Sequence, residues 1–116
     1  MSKLLNVILL IIAMPKIHNY FVYILTNYNK TVLYTGMTND LVRRLQEHEA
    51  DSKGPQKTFA GKYKCIYLVF WQRFQYVWHA IESEKEIKLL KRDKKEAIIN
   101  DFNPTWKFLN DEIQED

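Results

Sequence analysis

Two short runs rich in β-branched and aromatic residues open the patterned part of the chain. They are Tyr20-Phe21-Val22-Tyr23-Ile24-Leu25-Thr26-Asn27 and Thr31-Val32-Leu33-Tyr34-Thr35-Gly36, with the turn-prone Tyr28-Asn29-Lys30 between them. The pattern predicts a β-hairpin. A turn symmetric about Tyr28-Asn29 sets Tyr23 opposite Tyr34, and both phenols then share a face with Phe21, Leu25 and Val32. Val22, Ile24 and Leu33 occupy the other face. Apolar residues on both faces call for helical cover on at least one side and point to cover on both.

Downstream, Thr38 to His48 places a polar cap and an acidic first-turn residue ahead of apolar positions 41 and 45, which predicts a helix. Residues 51 to 62, with Gly54, Pro55 and Gly61, read as a polar loop, and a third strand is expected at about 63 to 72. Tyr76 to Arg92 has helical composition. Asp93-Lys94-Lys95-Glu96 resembles a capping box that starts a last helix ending before Asn103-Pro104. The element order is therefore β-β-α-β-α-α, an α+β arrangement.

Within the 76 to 92 helix, Val77, Ala80, Ile81, Glu84 and Ile87 follow the spacing of one buried stripe. A carboxylate on an apolar face needs a cation or hydrogen-bond donors to offset its desolvation. Pattern alone leaves Glu84 open between a salt-bridged structural acid and a metal ligand. On the first helix Arg44 and His48 are four residues apart, beside Leu41 and Leu45, where both reach toward the hairpin. The same spacing also suits a solvated basic face at Arg43 and Arg44 and a packing role for His48.

The chain has 116 residues, 47% of them hydrophobic, which is the size of one domain. Its 17 basic and 14 acidic residues give +3, but four acids (Asp111, Glu112, Glu115 and Asp116) lie in the last six positions. Residues 1 to 110 thus hold 17 basic residues against 10 acids, a balance suited to a polyanion such as nucleic acid. The single cysteine, Cys65, excludes an internal disulfide and a Cys-rich zinc site, fits a reducing, cytoplasmic compartment and reads as a small buried hydrophobe in a strand. Leu4 to Ala13 is the most hydrophobic stretch, yet too short to span a bilayer comfortably. A signal-peptide core or an interfacial anchor would have this composition, but no convincing cleavage site follows. We expect residues 1 to 14 to be an extension arising from an over-extended start, with Met14 as the natural one, residues 15 to 110 to be the working domain and 111 to 116 an acidic tail. No stable membrane association is expected.

Phe21-Val22-Tyr23, followed eleven positions on by Tyr34-Thr35-Gly36, resembles the paired triplets of the GIY-YIG nucleases. The likeness continues through Thr38, the Asp40-Leu41-x-Arg-Arg-Leu-x-Glu-His run ending at His48, Ala80-Ile81-x-x-Glu84-Lys85-x-Ile87-Lys88 and Asn103-Pro104-x-Trp106, and it is similar to the short stand-alone bacterial branch. It covers roughly residues 20 to 109. The resemblance implies a three-stranded antiparallel sheet flanked by helices and an endonuclease that hydrolyses phosphodiesters of nucleic acid, with structured or damaged DNA the expected target. It also implies roles. Tyr23 and Tyr34 match the family tyrosines that activate water or orient phosphate, Arg44 the family arginine and Glu84 the metal-binding glutamate, while Arg43 aligns with a more variable position. Phe21 stands where the namesake has glycine, and Ser83 where relatives often carry arginine; neither removes a catalytic group.

The chemistry is consistent with such roles. Mg²⁺, with Mn²⁺ as a substitute, prefers oxygen ligands and is commonly held by one or two carboxylates plus substrate phosphate, so a single Glu84 suffices. Arg44 suits a nonbridging phosphate oxygen. A phenol is a poor base at neutral pH unless a nearby cation lowers its pKa, a role open to Arg44, the metal or His48. Arg43, Lys57, Lys62, Lys85 and Lys88 form the expected phosphate-tracking rim, with Lys64, Lys91, Arg92, Lys94 and Lys95 near it. Trp71, Phe74, Tyr76 and Trp78 suit core packing better than base stacking. The alternative is a non-catalytic nucleic-acid-binding module of the same fold.

Overall fold

The computed structural model describes Lys3 and residues 19–113, so the apolar extension and the end of the acidic tail lie outside the described residues. Three strands, β1 (Tyr20–Thr26), β2 (Leu33–Thr38) and β3 (Tyr67–Phe74), form an antiparallel sheet of order β2-β1-β3. Among residues 19–113 four α-helices accompany it: α1 (Leu41–Lys53), the single turn α2 (Phe59–Lys62), α3 (Val77–Leu89) and α4 (Arg92–Phe102). The fold is thus α+β, a three-stranded antiparallel sheet with helical cover, in the β-β-α-β-α-α order with one short helix added.

Because β1 is central, both of its faces are buried, and its alternation builds two cores. Tyr23 and Leu25 pack with Leu41 and Leu45 of α1, Ala60 of α2, Cys65, Leu68 and Leu109. Val22 and Ile24 pack with Val69, Phe70, Ala80 and Ile87 of α3 and Ile99 of α4. A bulge between Ile24 and Leu25 in the pairing with β3 leaves Val69 as an extra residue, so that Val69 and Phe70 both join the second core. Asn103 Nδ2 donates to the Val69 carbonyl (3.1 Å) and to that of Lys107 (2.8 Å), and Leu109 N donates to Leu68 O (2.8 Å). The Asn103-Pro104-x-Trp106 segment is therefore a clamp on the exposed edge of β3, which would otherwise present unpaired backbone.

The hairpin register differs from the sequence expectation. Tyr23 pairs with Gly36, and Tyr34 with Leu25. The Asn27 side chain causes the shift: Oδ1 accepts from Thr31 N (2.8 Å) and Val32 N (3.0 Å), while Asn27 O accepts from Lys30 N, Lys30 being at φ 60°. Residues 27 to 32 become the loop, and β2 starts at Leu33. Two residues of slip keep parity, so Tyr23 and Tyr34 still share a face.

Other boundaries shift for local reasons. Asp40 is itself the N-cap of α1, its carboxylate accepting from Arg43 N (3.1 Å), and does not stand in the first turn. The expected polar loop is helical at both ends, as the last residues of α1 and as α2. Cys65 is buried but precedes β3. No capping box forms at Asp93: α4 begins one residue earlier, after Lys91, and Arg92 ties it to the hairpin by donating to Thr31 O (2.7 Å) and Lys30 O (3.0 Å). Along α3, Ala80 and Ile87 are buried, whereas Ile81 is 38% exposed and falls outside the stripe. Among the described residues no helix is long and apolar enough to cross a membrane.

Candidate active site

Tyr23 stands at the middle of the central strand, paired on both sides, and its ring is almost wholly enclosed. Room for it comes from Gly36, the residue opposite: a Cβ there would collide with Tyr23 Oη and Cζ. The glycine of the second triplet is thus needed for the close approach of a phenol and not for an unusual backbone angle, since no glycine among the described residues has a positive φ.

Over this phenol lies α1. Tyr23 Oη and His48 Nε2 are 2.9 Å apart in a buried hydrogen bond, and the Tyr23, Tyr34 and His48 rings form one cluster with centroids 5.3 to 6.3 Å apart. Arg44, one turn before His48, brings its guanidinium beside the Tyr23 oxygen while Nη1 donates to Glu47 Oε1 at 3.1 Å. From α3, Glu84 reaches the same neighbourhood: its carboxylate acts on the Tyr23 charge, is 22% exposed and faces Lys88 Nζ at 3.6 Å. Four sequence-separated candidates, Tyr23, Tyr34, Arg44 and Glu84, therefore converge, with His48 behind them.

The electrostatics make Tyr23 and His48 a neutral pair at pH 7. Burial pushes the Tyr23 phenol well above the ordinary tyrosine value, Tyr34 and Glu84 add to the effect, and Arg44 only partly opposes it. Burial, aided by the Arg44 cation, lowers His48 to about 4, against the weaker pull of Glu47 and Asp51. Among the described residues His48 Nδ1 has no hydrogen-bond partner, and it is buried. A neutral imidazole tolerates that orphan far better than a cation would.

The remaining candidates spread out. Arg43 turns away from the cluster toward Asp40 (4.0 Å) and Asn39 (3.4 Å), with 61% of its side chain exposed. Lys57, Lys62 and Lys85 are exposed on three segments, and Lys88 is engaged with Glu84. Trp71 and Phe74 pack against the two cores as expected, but Tyr76 and Trp78 do not: both are exposed and stack on each other at 4.8 Å. Among the described residues no group of three His, Cys, Asp or Glu stands ready to hold a metal by protein ligands alone.

The family model described as the GIY-YIG catalytic domain matches residues 19–97, more than half of the chain and all of the converging residues. The chain belongs to the GIY-YIG family. Its relatives include a UPF0213 protein of Natronomonas pharaonis, 36% identical over 83 residues that cover 72% of this chain and 93% of the relative. The UPF0213 protein YazA of Bacillus subtilis is 32% identical over 84 residues, 72% of this chain and 81% of the relative. A solution NMR structure of a UPF0213 protein from Bacillus halodurans is similar at 35% identity and a TM-score of 0.46, covering 71% of this chain and 83% of that one. Membership identifies the domain as one of a nuclease family.

Proposed function

We propose that this GIY-YIG protein is a metal-dependent endonuclease that hydrolyses phosphodiester bonds, with structured or damaged DNA as its target. The observation that carries the proposal is the convergence of Arg44, Glu84 and the Tyr23-His48 pair at the surface end of one core. Arg44, with 34% of its side chain exposed, is placed to bind a nonbridging oxygen of the scissile phosphate. Glu84, a lone and partly exposed carboxylate, fits a hard, oxygen-preferring ion such as Mg²⁺ or Mn²⁺ completed by water and substrate phosphate. Such an ion, when bound, neutralises phosphoryl charge and lowers the pKa of the attacking water.

A phenol with a raised pKa cannot serve as a resting phenolate base. It can relay. In the tautomer with the proton on Nδ1, His48 Nε2 accepts the Tyr23 hydroxyl, leaving the Tyr23 oxygen lone pairs facing the site. Tyr23 takes a proton from the attacking water as it passes its own to His48 Nε2; the water oxygen forms the new bond to phosphorus, the P–O ester bond breaks with its electron pair going to the ester oxygen, and that oxygen takes up a proton from solvent. Phosphate on Arg44 would offset the smaller of the two causes that depress His48, the Arg44 cation, while burial, the larger one, remains.

The test is a panel of labelled single-stranded, duplex, flap and branched DNA incubated with Mg²⁺ or Mn²⁺, comparing the wild-type chain with Glu84→Ala. Cutting by the wild type that disappears in Glu84→Ala is the expected result. Equal cutting by both, or none by either, rejects the nuclease and leaves a nucleic-acid-binding module of the same fold.

A further inference from the structure

The ring cluster of the site does not end at Tyr34. Phe59 of α2 stacks on it at 6.2 Å and 22°, and Tyr63 lies 4.6 Å beyond Phe59. Unlike the inner members, these two are open to solvent, Phe59 at 51% and Tyr63 at 44%. Leaving two adjacent rings in water forgoes burial that the core beside them offers. Their backbone is nevertheless fixed. Asp51, at the end of α1, accepts from Lys57 N (2.9 Å), Thr58 N (2.9 Å) and Thr58 Oγ1 (2.7 Å), and Thr58 Oγ1 in turn accepts from Gly61 N (2.9 Å). A Cβ at Gly61 would strike the Asp51 carboxylate, so the turn closes only with glycine there. Exposed lysines surround the rings: Lys57 precedes them, Lys64 follows, and Lys62 Nζ sits 5.5 Å over the Tyr63 ring.

We propose that Phe59 and Tyr63 are a stacking platform for an unpaired nucleobase next to the phosphate held at Arg44 and Glu84. The proposal rests on the nuclease reading and deepens it: the strand is recognised as single-stranded or frayed where it is cut. Rigid, exposed aromatic faces ringed by cations are what a base and its backbone require together, whereas a paired base keeps its faces inside the duplex stack. Continuity with Tyr34, whose ring centroid lies 6.2 Å from that of Phe59, puts the platform beside the candidate catalytic phenols.

The test uses the full chain without divalent ions, so that nothing is cut. Binding is measured to a labelled single strand, to the same strand carrying abasic positions, and to a fully paired duplex. Wild type should favour the base-bearing over the abasic strand by roughly ten- to hundredfold, the effect of one stacked base. Phe59→Ala with Tyr63→Ala should bring that ratio close to one and leave duplex binding and its salt dependence unchanged. Phe59→Leu, which keeps apolar packing on Tyr34 without a π face, should lower the ratio even if the double variant folds poorly, and Phe59→Trp should preserve it. A wild type indifferent to bases, or variants with the wild-type ratio, overturns the platform. So does a dimer seen by sedimentation for the wild type that becomes a monomer in Phe59→Ala with Tyr63→Ala, since a second copy then covers these rings. No cutting of any substrate in the Mg²⁺ or Mn²⁺ panel, with the base-dependent ratio intact in this metal-free binding test, would instead refute the nuclease reading and leave the platform on a binding module.

Discussion

The two faces of the central strand are built from alternate residues of the same seven, yet they are spent differently. On one, Val22 and Ile24 meet Val69, Phe70, Ala80, Ile87 and Ile99, an almost purely apolar layer whose one irregularity is the unpartnered Thr35 hydroxyl. On the other, the core is interrupted by a phenol bonded to an imidazole, with one ring nitrogen lacking a partner and a glycine where a side chain would fill space. The first face holds the domain together. The second accepts buried polar groups, which stabilise less than hydrocarbon, and the proposed relay would use them as a fixed pair of neutral proton carriers.

The sharpest way to break this comparison is to change one oxygen. Tyr23→Phe keeps the ring, its packing on Tyr34 and its place over Gly36, but ends the hydrogen bond to His48. Cleavage should fall by roughly 10² to 10⁴, the usual worth of a positioned acid-base group. Stability should fall by about 1 to 3 kcal/mol, the cost of leaving His48 Nε2 buried without a donor. Single-turnover rates and urea unfolding of the same preparation check both halves. Ile99→Ala is the mirror experiment. It opens a cavity in the apolar face and should cost about 2 to 5 kcal/mol of stability. Where the variant remains folded, the single-turnover rate should stay within a few-fold of wild type. A large rate loss here, with little destabilisation, would show that the faces do not divide the work.

Much of this division is legible in the chain. Alternation in residues 20 to 26 announces a strand buried on both sides, and the triplets with Arg44 and Glu84 mark the side chains that the fold gathers. Three things were hidden. The hairpin register depends on Asn27 folding back on Thr31 and Val32, a side-chain bond that composition does not reveal. Lys91, not the polar residues after it, caps α4, because Arg92 is drawn to the hairpin carbonyls. The Phe59-Tyr63 pair lies in a segment whose glycine, proline and lysines read as loop. Its signal was there in the i, i+4 spacing after a capping Thr58, but one turn of helix is too short for a periodicity to register.

Acid separates the faces more gently. His48 is held at about 4, below the unfolded value near 6.5, so between these the unfolded chain binds the extra proton. The stability due to neutral His48 is complete above pH 6.5 and is lost as pH falls toward 4, on the order of 3 kcal/mol in all. Urea unfolding at stepped pH should show that decline. His48→Gln, which can still bond Tyr23 but cannot titrate, should flatten it, whereas Ile99→Ala should shift the whole curve without changing its shape.

The smallest expected effect sharpens the role of Asp51. Its carboxyl is held below the ordinary range by the hydrogens of Thr58 and Lys57, so its contribution is present above the unfolded value near 3.8 and disappears as pH falls through the folded one. This window lies beneath that of His48. Asp51→Asn should therefore leave the pH 6.5 to 4 decline in place and remove only the small share of the loss below it that Asp51 contributes. Because Asp51 binds the turn that carries Phe59, not the core, the variant should unfold near the wild-type midpoint at pH 7. Amide hydrogen exchange over residues 57 to 61 should nonetheless quicken, and the preference for base-bearing over abasic strand should weaken. Faster exchange confined to that turn would place the platform's rigidity in one carboxylate on α1, the helix that also carries Arg44 and His48. Unchanged exchange would mean that the ring contacts with Tyr34 hold the turn unaided.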